Sequence, residues 1–386
     1  MRLLRLLVVL LTAVALPAAV LPTAAEEPAA AAGEPAGIEP EFVRPLVPIA
    51  RGRNDSNPVW SPSGDMIAFE RSRGDDKEIV VVRSNGDIVQ TIHHQNSVVP
   101  GQGQFFFPGV VEPTSYNSGI SWSPDGKRFV FMSNGGEGNY DLYLREPEGR
   151  VTRITTDKEK DGHAHWSPAR DRIAFISGRS GKGDVYLLDL AAKTTTRLTQ
   201  GEQPYLYPQW SPDGKRLAVI QGENENHDVY VLEPGRTPPV PPKPFSSWRH
   251  DDLRPVWSPD GKRLAFYTNY NPADDPRTWA IVVVAADGSD PTQGEGLAAR
   301  VVATDVVPDI ERGPAWMPDN RRIVYVRNER EAYNPIYVVD VDSRTSTLVR
   351  TGTKMNHDVT CSSSGVIAFR AQVDQWDQVY VAKLKD

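Results

Sequence analysis

The sequence predicts an all-β chain: a seven-bladed β-propeller of four-stranded antiparallel blades, closed by a strand from its N-terminal side. Three observations predict it. A Trp-Ser-Pro-Asp-Gly motif recurs along most of the 386 residues. Alternating apolar residues of strand type follow each copy. A strand-like segment, Arg44 to Ala50, precedes the first copy and has no partner of its own.

The copies are Trp60-Ser61-Pro62-Ser63-Gly64, Trp122-Ser123-Pro124-Asp125-Gly126, Trp166-Ser167-Pro168, Trp210-Ser211-Pro212-Asp213-Gly214, Trp257-Ser258-Pro259-Asp260-Gly261 and Trp316-Met317-Pro318-Asp319-Asn320. A degenerate seventh is Cys361-Ser362-Ser363-Ser364-Gly365. The Trp or Cys positions are 62, 44, 44, 47, 59 and 45 residues apart. Nine places on stand Phe69, Phe131, Phe175, Val219, Phe266 and Tyr325; the seventh copy reaches Phe369 in eight, so its turn is one residue shorter.

Within each copy a strand ends at the Trp, the Pro-Asp-Gly supplies a turn, and an alternating strand such as Arg216 to Ile220 returns. A third strand carries Asp-x-Tyr, as in Asp141-Leu142-Tyr143, Asp184-Val185-Tyr186 and Asp228-Val229-Tyr230. A fourth ends in Thr152-Arg153-Ile154-Thr155 or Thr196-Arg197-Leu198-Thr199. Four short strands at this period cover their apolar faces only by stacking on neighbouring blades, which is the logic of a propeller. The seventh copy has no fourth strand after Gln378 to Ala382, and the orphan strand at residues 44–50 supplies it.

The N-terminal residues read differently. Arg2 and Arg5, the apolar run Leu6 to Leu16 and the small residues up to Ala25 form a signal-peptide layout, so residues 1–25 are expected to be removed on export by the general route. No cysteine stands there to take a lipid. Residues 26–41 hold Ala, Pro and five acids with no base, which predicts a disordered acidic linker before a propeller over 42–386. The formal charge of -7 comes from 43 basic and 50 acidic residues; removing two arginines and those five acids leaves 41 against 45, a nearly neutral body. That body has no basic footprint for nucleic acid, and a lone Cys361 supplies neither a disulfide nor a cysteine-based zinc site.

The Trp-Ser-Pro-Asp-Gly-Lys pattern, followed by Ala-Phe and then Asp-x-Tyr, resembles the propeller repeat of the TolB family (WD40-like Pro-Asp repeats) across residues 42–386. The resemblance implies a periplasmic or secreted, non-enzymatic module that binds a protein or peptide partner in the cell envelope, monomeric and not membrane-spanning after signal cleavage. It departs from TolB in two ways: TolB has a separate N-terminal α/β domain, and its propeller has six blades. Propellers of the prolyl-peptidase type have a similar repeat followed by a hydrolase domain; no residues follow the last blade here, so that activity is not expected. A G-x-S-x-G elbow and a P-loop are lacking, Gly178 to Gly183 failing both patterns, and Asp340-Val341-Asp342 is too short for an EF-hand.

Recognition is expected in the connections from a fourth strand into the next Trp strand. They read as 51–57, 97–118, 157–165, 200–208, 246–255, 304–314 and 351–358. Their aromatic and charged residues predict a partner-binding face at Tyr207, Trp248, Arg249, His250, Arg312 and His357, with no catalytic residue and no cofactor. The competing reading is a metal-dependent polysaccharide lyase of the oligogalacturonate type, which the repeat also resembles. There His163, His165, His250 and His357 would converge on a divalent metal, assisted by Asp251, Asp252 or Asp358. In the plainest reading the histidines satisfy loop backbone groups. Docking is preferred because only His163 and His165 are close in sequence. Phe105 to Phe107 forms a binding lip or a channel plug, and Pro238 to Pro244 an extended polyproline edge.

Overall fold

The computed structural model describes residues 37–74, 76–93, 116–135, 139–222, 226–235, 243–244, 246, 250–270, 278–288, 300–309, 311–329 and 333–385. The expected signal peptide, most of the expected linker, Phe105 to Phe107, Trp248, Arg249 and most of the proline run lie outside these residues.

Five antiparallel sheets have four strands each. The first holds Asn54–Trp60, Met66–Arg73, Asp76–Arg83 and Ile88–Ile92. The next are Asn117–Trp122, Phe129–Ser133, Asp141–Arg145 and Val151–Arg153, then Asp161–Trp166, Arg172–Ser177, Asp184–Asp189 and Thr194–Arg197. Another holds Tyr205–Trp210, Leu217–Gly222, His227–Leu232 and Lys243–Pro244. In the last, His357–Cys361, Val366–Val373 and Trp376–Lys383 are completed by Phe42–Pro45, antiparallel to Trp376–Lys383 with Phe42 opposite Lys383 and Pro45 opposite Tyr380. A ninefold sheet contains two further runs, Asp252–Trp257 to Val301–Val307 and Ala315–Trp316 to Thr345–Val349, joined where Val306 and Val307 pair with Arg327 and Val326.

The motif explains its own turn. In Ser123-Pro124-Asp125-Gly126 the Ser123 hydroxyl donates to Asp125 (2.5 Å) and accepts from the Arg128 N–H (3.0 Å), while Asp125 accepts from the Lys127 N–H (3.1 Å). Ser211 and Ser258 repeat the pattern with Asp213 and Asp260 at 2.6 Å. Gly126, Gly214 and Gly261 close these turns at positive φ. In the seventh copy the Ser362 hydroxyl bonds the Val366 N–H at 3.0 Å, one residue sooner than Ser123 bonds Arg128, because the turn is one residue shorter. The Trp rings stitch neighbouring units: Trp122, Trp257 and Trp316 donate their indole N–H to the carbonyls of Val59, Gln209 and Val256.

The core lies between sheets. Val130, Leu142 and Leu144 of the second sheet pack with Trp166, Ile173 and Phe175 of the third. Residues of the last sheet, Ala368, Val379 and Val381, pack with Trp60, Ile67 and Phe69 of the first. Phe175 is fully buried, so Phe175→Ala is expected to cost about 3–5 kcal/mol, measured by urea unfolding.

The expected disordered linker is corrected at its end. Gly37–Ile38 pairs parallel with Thr345–Val349, Ile38 packs on an apolar cluster, and the Arg350 N–H bonds the Ile38 carbonyl at 3.0 Å. An apolar residue beside an open strand edge is enough to dock this stretch, despite the acidic residues around it.

Candidate functional site

Three residues before each Trp or Cys, the backbone is left-handed. Asn57, Gly119, His163, Tyr207, Arg254, Gly313 and Asp358 have φ between 49° and 93°. In six of the seven strands the register slips at that residue, as between Gly162 and His165 or between Leu253 and Val256. Each slip is a β-bulge that turns a side chain which regular pleating would point elsewhere. Five of the seven residues are not glycine, and each bears a cost of about 1–2 kcal/mol for the left-handed region. For His163, Tyr207 and Arg254, which lack the local side-chain bonding that eases Asn57 and Asp358, the surrounding structure must hold the backbone there.

Four of these residues, Gly119, His163, Tyr207 and Arg254, line a cavity of about 470 Å³, to which all seven Trp or Cys segments contribute a residue. At one end stand the Ser-Pro turns, with Pro62, Pro124, Pro168 and Pro212. At the other stand His163, Tyr207, Arg254, Glu70, Glu311 and Arg312. The guanidinium carbon of Arg254 sits 3.0 Å from the Tyr207 ring centroid, and His163 meets the same ring edge-on at 4.2 Å.

Glu70 is fully buried and surrounded by donors. It accepts from the Lys77 ammonium (2.8 Å), the Asn57 amide (3.0 Å), the Ser118 hydroxyl (2.5 Å) and the Gly119 N–H (3.4 Å). Burial pushes its carboxyl upward, but Lys77 and the bonds from Lys77 and Ser118 prevail and hold it below its usual range. Beside it, Asp55 takes both arms of Arg71, at 2.7 and 2.9 Å.

Glu311 and Arg312 arrive by a different route. The inner strand of their unit is only Ala315–Trp316, and the chain ahead of it forms a tight turn. Asp309 Oδ1 accepts from the Glu311 and Arg312 N–H groups, and the Gly313 N–H bonds the Asp309 carbonyl. The turn carries Arg312 to the Asn57 carbonyl (2.9 Å), on a sheet that is not its neighbour. A side chain at Gly313 would lie 2.4 Å from the Arg254 carbonyl and 2.7 Å from Val256. Gly313→Ala is therefore expected to lose about 2–4 kcal/mol from strain and overpacking, and to displace Arg312, checked by unfolding and by a crystal structure of the variant.

The sequence placed His163, His165, Tyr207, Arg254 and His357 in loops, and the structure corrects this: all five lie inside Trp or Cys strands. Their polarity breaks the alternation that marks a strand, and the bulge is what accommodates them. His165 Nδ1 accepts the Trp210 N–H at 2.9 Å, which leaves the ring proton on Nε2. Burial holds His165 down at about 4, and burial with Arg254 holds His163 down at about 3. His250 stacks edge-on against Tyr270, and His357 contacts the Asn334 amide at 3.2 Å. Among the described residues no three His, Cys, Asp or Glu side chains are placed to share a metal ion. Cys361 is partly covered, and burial pushes its thiol up to about 12. Tyr207 and Arg312 of the expected face reach the cavity; His357 starts its strand at the end away from Cys361, and His250 lies two residues ahead of the Asp252–Trp257 strand.

Glu70 and Glu311 were missed by sequence reasoning. Glu70 sits in an otherwise regular strand, where its only signal is that it follows the repeat's core Phe69 directly.

Residues 109–289 match the family model of the TolB beta propeller domain. Among solved structures, the chain resembles an oligogalacturonate lyase in complex with manganese, with a TM-score of 0.62, 13% identity, and coverage of 89% of this chain and 93% of that one. It resembles a puromycin-hydrolyzing peptidase of Mycobacterium tuberculosis with a TM-score of 0.61 at 14% identity, over 85% of this chain and 50% of the peptidase. For TolB from Acinetobacter baumannii the TM-score is 0.49 at 17% identity, over 76% of this chain. The chain spans 62% of that TolB and half of the peptidase. At such identities the likeness is one of fold. No curated protein matches the chain in sequence.

Proposed function

We propose, from the match of residues 109–289 to the TolB beta propeller domain model, that the chain is a seven-bladed propeller, closed by the Phe42–Pro45 strand, that binds a protein or peptide in the cell envelope without catalysis. The observation that carries this reading is the shared cavity. Seven segments converge on it, and its inner end offers a tyrosine covered by an arginine, a second arginine and a carboxylate. Tyr and Arg in such settings dominate binding energy at interfaces, and a cavity of this size accepts a few residues of an extended chain. The two histidines there are occupied or held neutral, which suits a binding wall better than proton transfer. His250 and His357, near the starts of the Asp252–Trp257 and His357–Cys361 strands, extend the contact. Export follows from the signal-like start of the sequence and is read by N-terminal sequencing of the mature protein.

The test is selection of peptides from a displayed library on the purified full chain. Selected peptides are expected to bind the wild type and to lose tenfold or more against Tyr207→Ala. Equal binding to the variant would remove the cavity from the reading. In a parallel arm, formation of unsaturated product from oligogalacturonate with manganese present would overturn the non-catalytic assignment in favour of the lyase.

A further inference from the structure

Resting on the docking reading, we propose that the inner end of the cavity is a carboxylate site, in which Arg254 and Arg312 receive the free C-terminal carboxylate of a peptide. The charges there are not balanced. Glu70 is matched by Lys77 and has four donors, so it has little left to offer a ligand. Among the lining residues two guanidinium groups then stand against the single carboxylate of Glu311, a balance of +2 − 1 = +1, and the other carboxylate that acts on both arginines, Asp309 behind the wall, is pushed toward its neutral form by burial and by Asp358. Nor do the arginines satisfy one another's needs. Arg254 Nη2 is 4.0 Å from Glu311 Oε2, too far for a good hydrogen bond, and its main contact is with the Tyr207 ring. Arg312 spends one Nη2 donor on the Asn57 carbonyl, while its Nε is buried with no hydrogen-bond partner among the described residues. A buried donor left unmade costs about 1–3 kcal/mol, so a ligand bringing acceptor oxygens is rewarded.

Arginine's fork matches a planar carboxylate, which accepts two N–H groups at once. Beyond the cavity wall Asp358 lies 2.8 Å from Arg370, and Asp309 Oδ1 accepts two N–H groups of its own turn, while Asp309 Oδ2 is buried with no hydrogen-bond partner among the described residues. The Tyr207 ring is covered by Arg254 on its face and met by His163, so it does not offer a platform on which a sugar ring would stack. A chain end enters past the Ser-Pro turns and presents its carboxylate first.

The experiment titrates the full chain, observed by NMR through the Trp122 and Trp210 indole signals, with N-acetyl-trialanine as free acid, the same peptide as amide, and acetate. The free acid is expected to bind at least tenfold more tightly than the amide and more tightly than acetate. Glu311→Gln removes the opposing charge and is expected to tighten the free acid two- to fivefold without changing the amide; Arg254→Gln is expected to abolish the difference between acid and amide. Acid and amide binding alike would overturn the carboxylate site while leaving peptide docking intact. No binding of the acid, with or without acetate binding, would overturn the assignment to a chain end. Failure of library peptides alone, with the acid and acetate still bound, would instead overturn the docking reading and keep the site. Arg254→Gln depends on correct folding, whereas the Glu311→Gln result reads the same charge balance without removing a buried contact of Tyr207.

Discussion

Glu70→Ala is expected to lower folding stability by about 3–5 kcal/mol. The side chain fills no large volume, so the cost is electrostatic. Its removal leaves Lys77, whose ammonium is only 23% exposed, as an uncompensated charge. It also orphans donors from Asn57, Ser118 and Gly119, which converge on one carboxylate from two sheets. The Lys77 ammonium is pushed above its usual range despite burial, because Glu70 holds it charged. Urea unfolding of Glu70→Ala, Lys77→Met and the double variant reads the pair directly. The double variant should be less damaged than the sum of the singles, with a coupling above about 1 kcal/mol. A loss below about 1 kcal/mol in Glu70→Ala would show that the network contributes little.

The second large effect concerns pH. Asp252 stands at the same place in its strand as Asp55 and Asp161, five residues before the Trp. Those two are met by Arg71 and Arg179, at 2.7 and 2.9 Å. Among the described residues Asp252 has no such cation; its neighbours are the Ser246 and Thr268 hydroxyls with Asp228 and Asp251, and neither of its oxygens has a hydrogen bond of normal geometry to any of them. Burial, first, and the two aspartates push its carboxyl up to about 8. An unfolded aspartate titrates near about 3.9, so between about pH 4 and pH 8 the folded chain binds one proton more than the unfolded chain. Stability therefore falls as pH rises through that window, by about 1.4 kcal/mol per pH unit for this group. Asp252→Asn should remove that slope, so that the difference in stability between variant and wild type grows across the window and levels off above about pH 8. A constant difference across that range would refute it. His163 and His165 act with the opposite sign, since their lowered values favour the folded state above about pH 6.5 and cost it as pH falls.

The repeat made much of this legible in advance. Trp, Ser, Pro, Asp and Gly at fixed offsets encode turn and packing together, so one copy of the motif constrains a whole sheet. The segment before Trp60 announced a strand over Arg44 to Ala50, and the pairing beside Tyr380 is instead made by Phe42–Pro45, with residues 46–50 outside the strand. The site was less legible. His163, Tyr207 and Arg254 look like loop residues because polar or bulky groups interrupt the alternation, and no local signal marks a left-handed residue that is neither Gly nor Asn. Arg312 stood out as a charged loop residue, but its reach to Asn57 depends on the Asp309 turn. The four histidines invited a metal because a sequence lists residues without their partners; Trp210, Tyr270 and Asn334 engage three of them separately.

The pairing of Phe42 with Lys383 also has a kinetic meaning. A strand made early in synthesis waits for one made near the end, and Gly37–Ile38 likewise waits for Leu348 and Val349. Contacts of such sequence separation are formed late and slowly, after neighbouring hairpins have assembled. Until then the sheet of His357–Cys361 has only three of its four strands, and the edge of Trp376–Lys383 stays open to any other strand that reaches it.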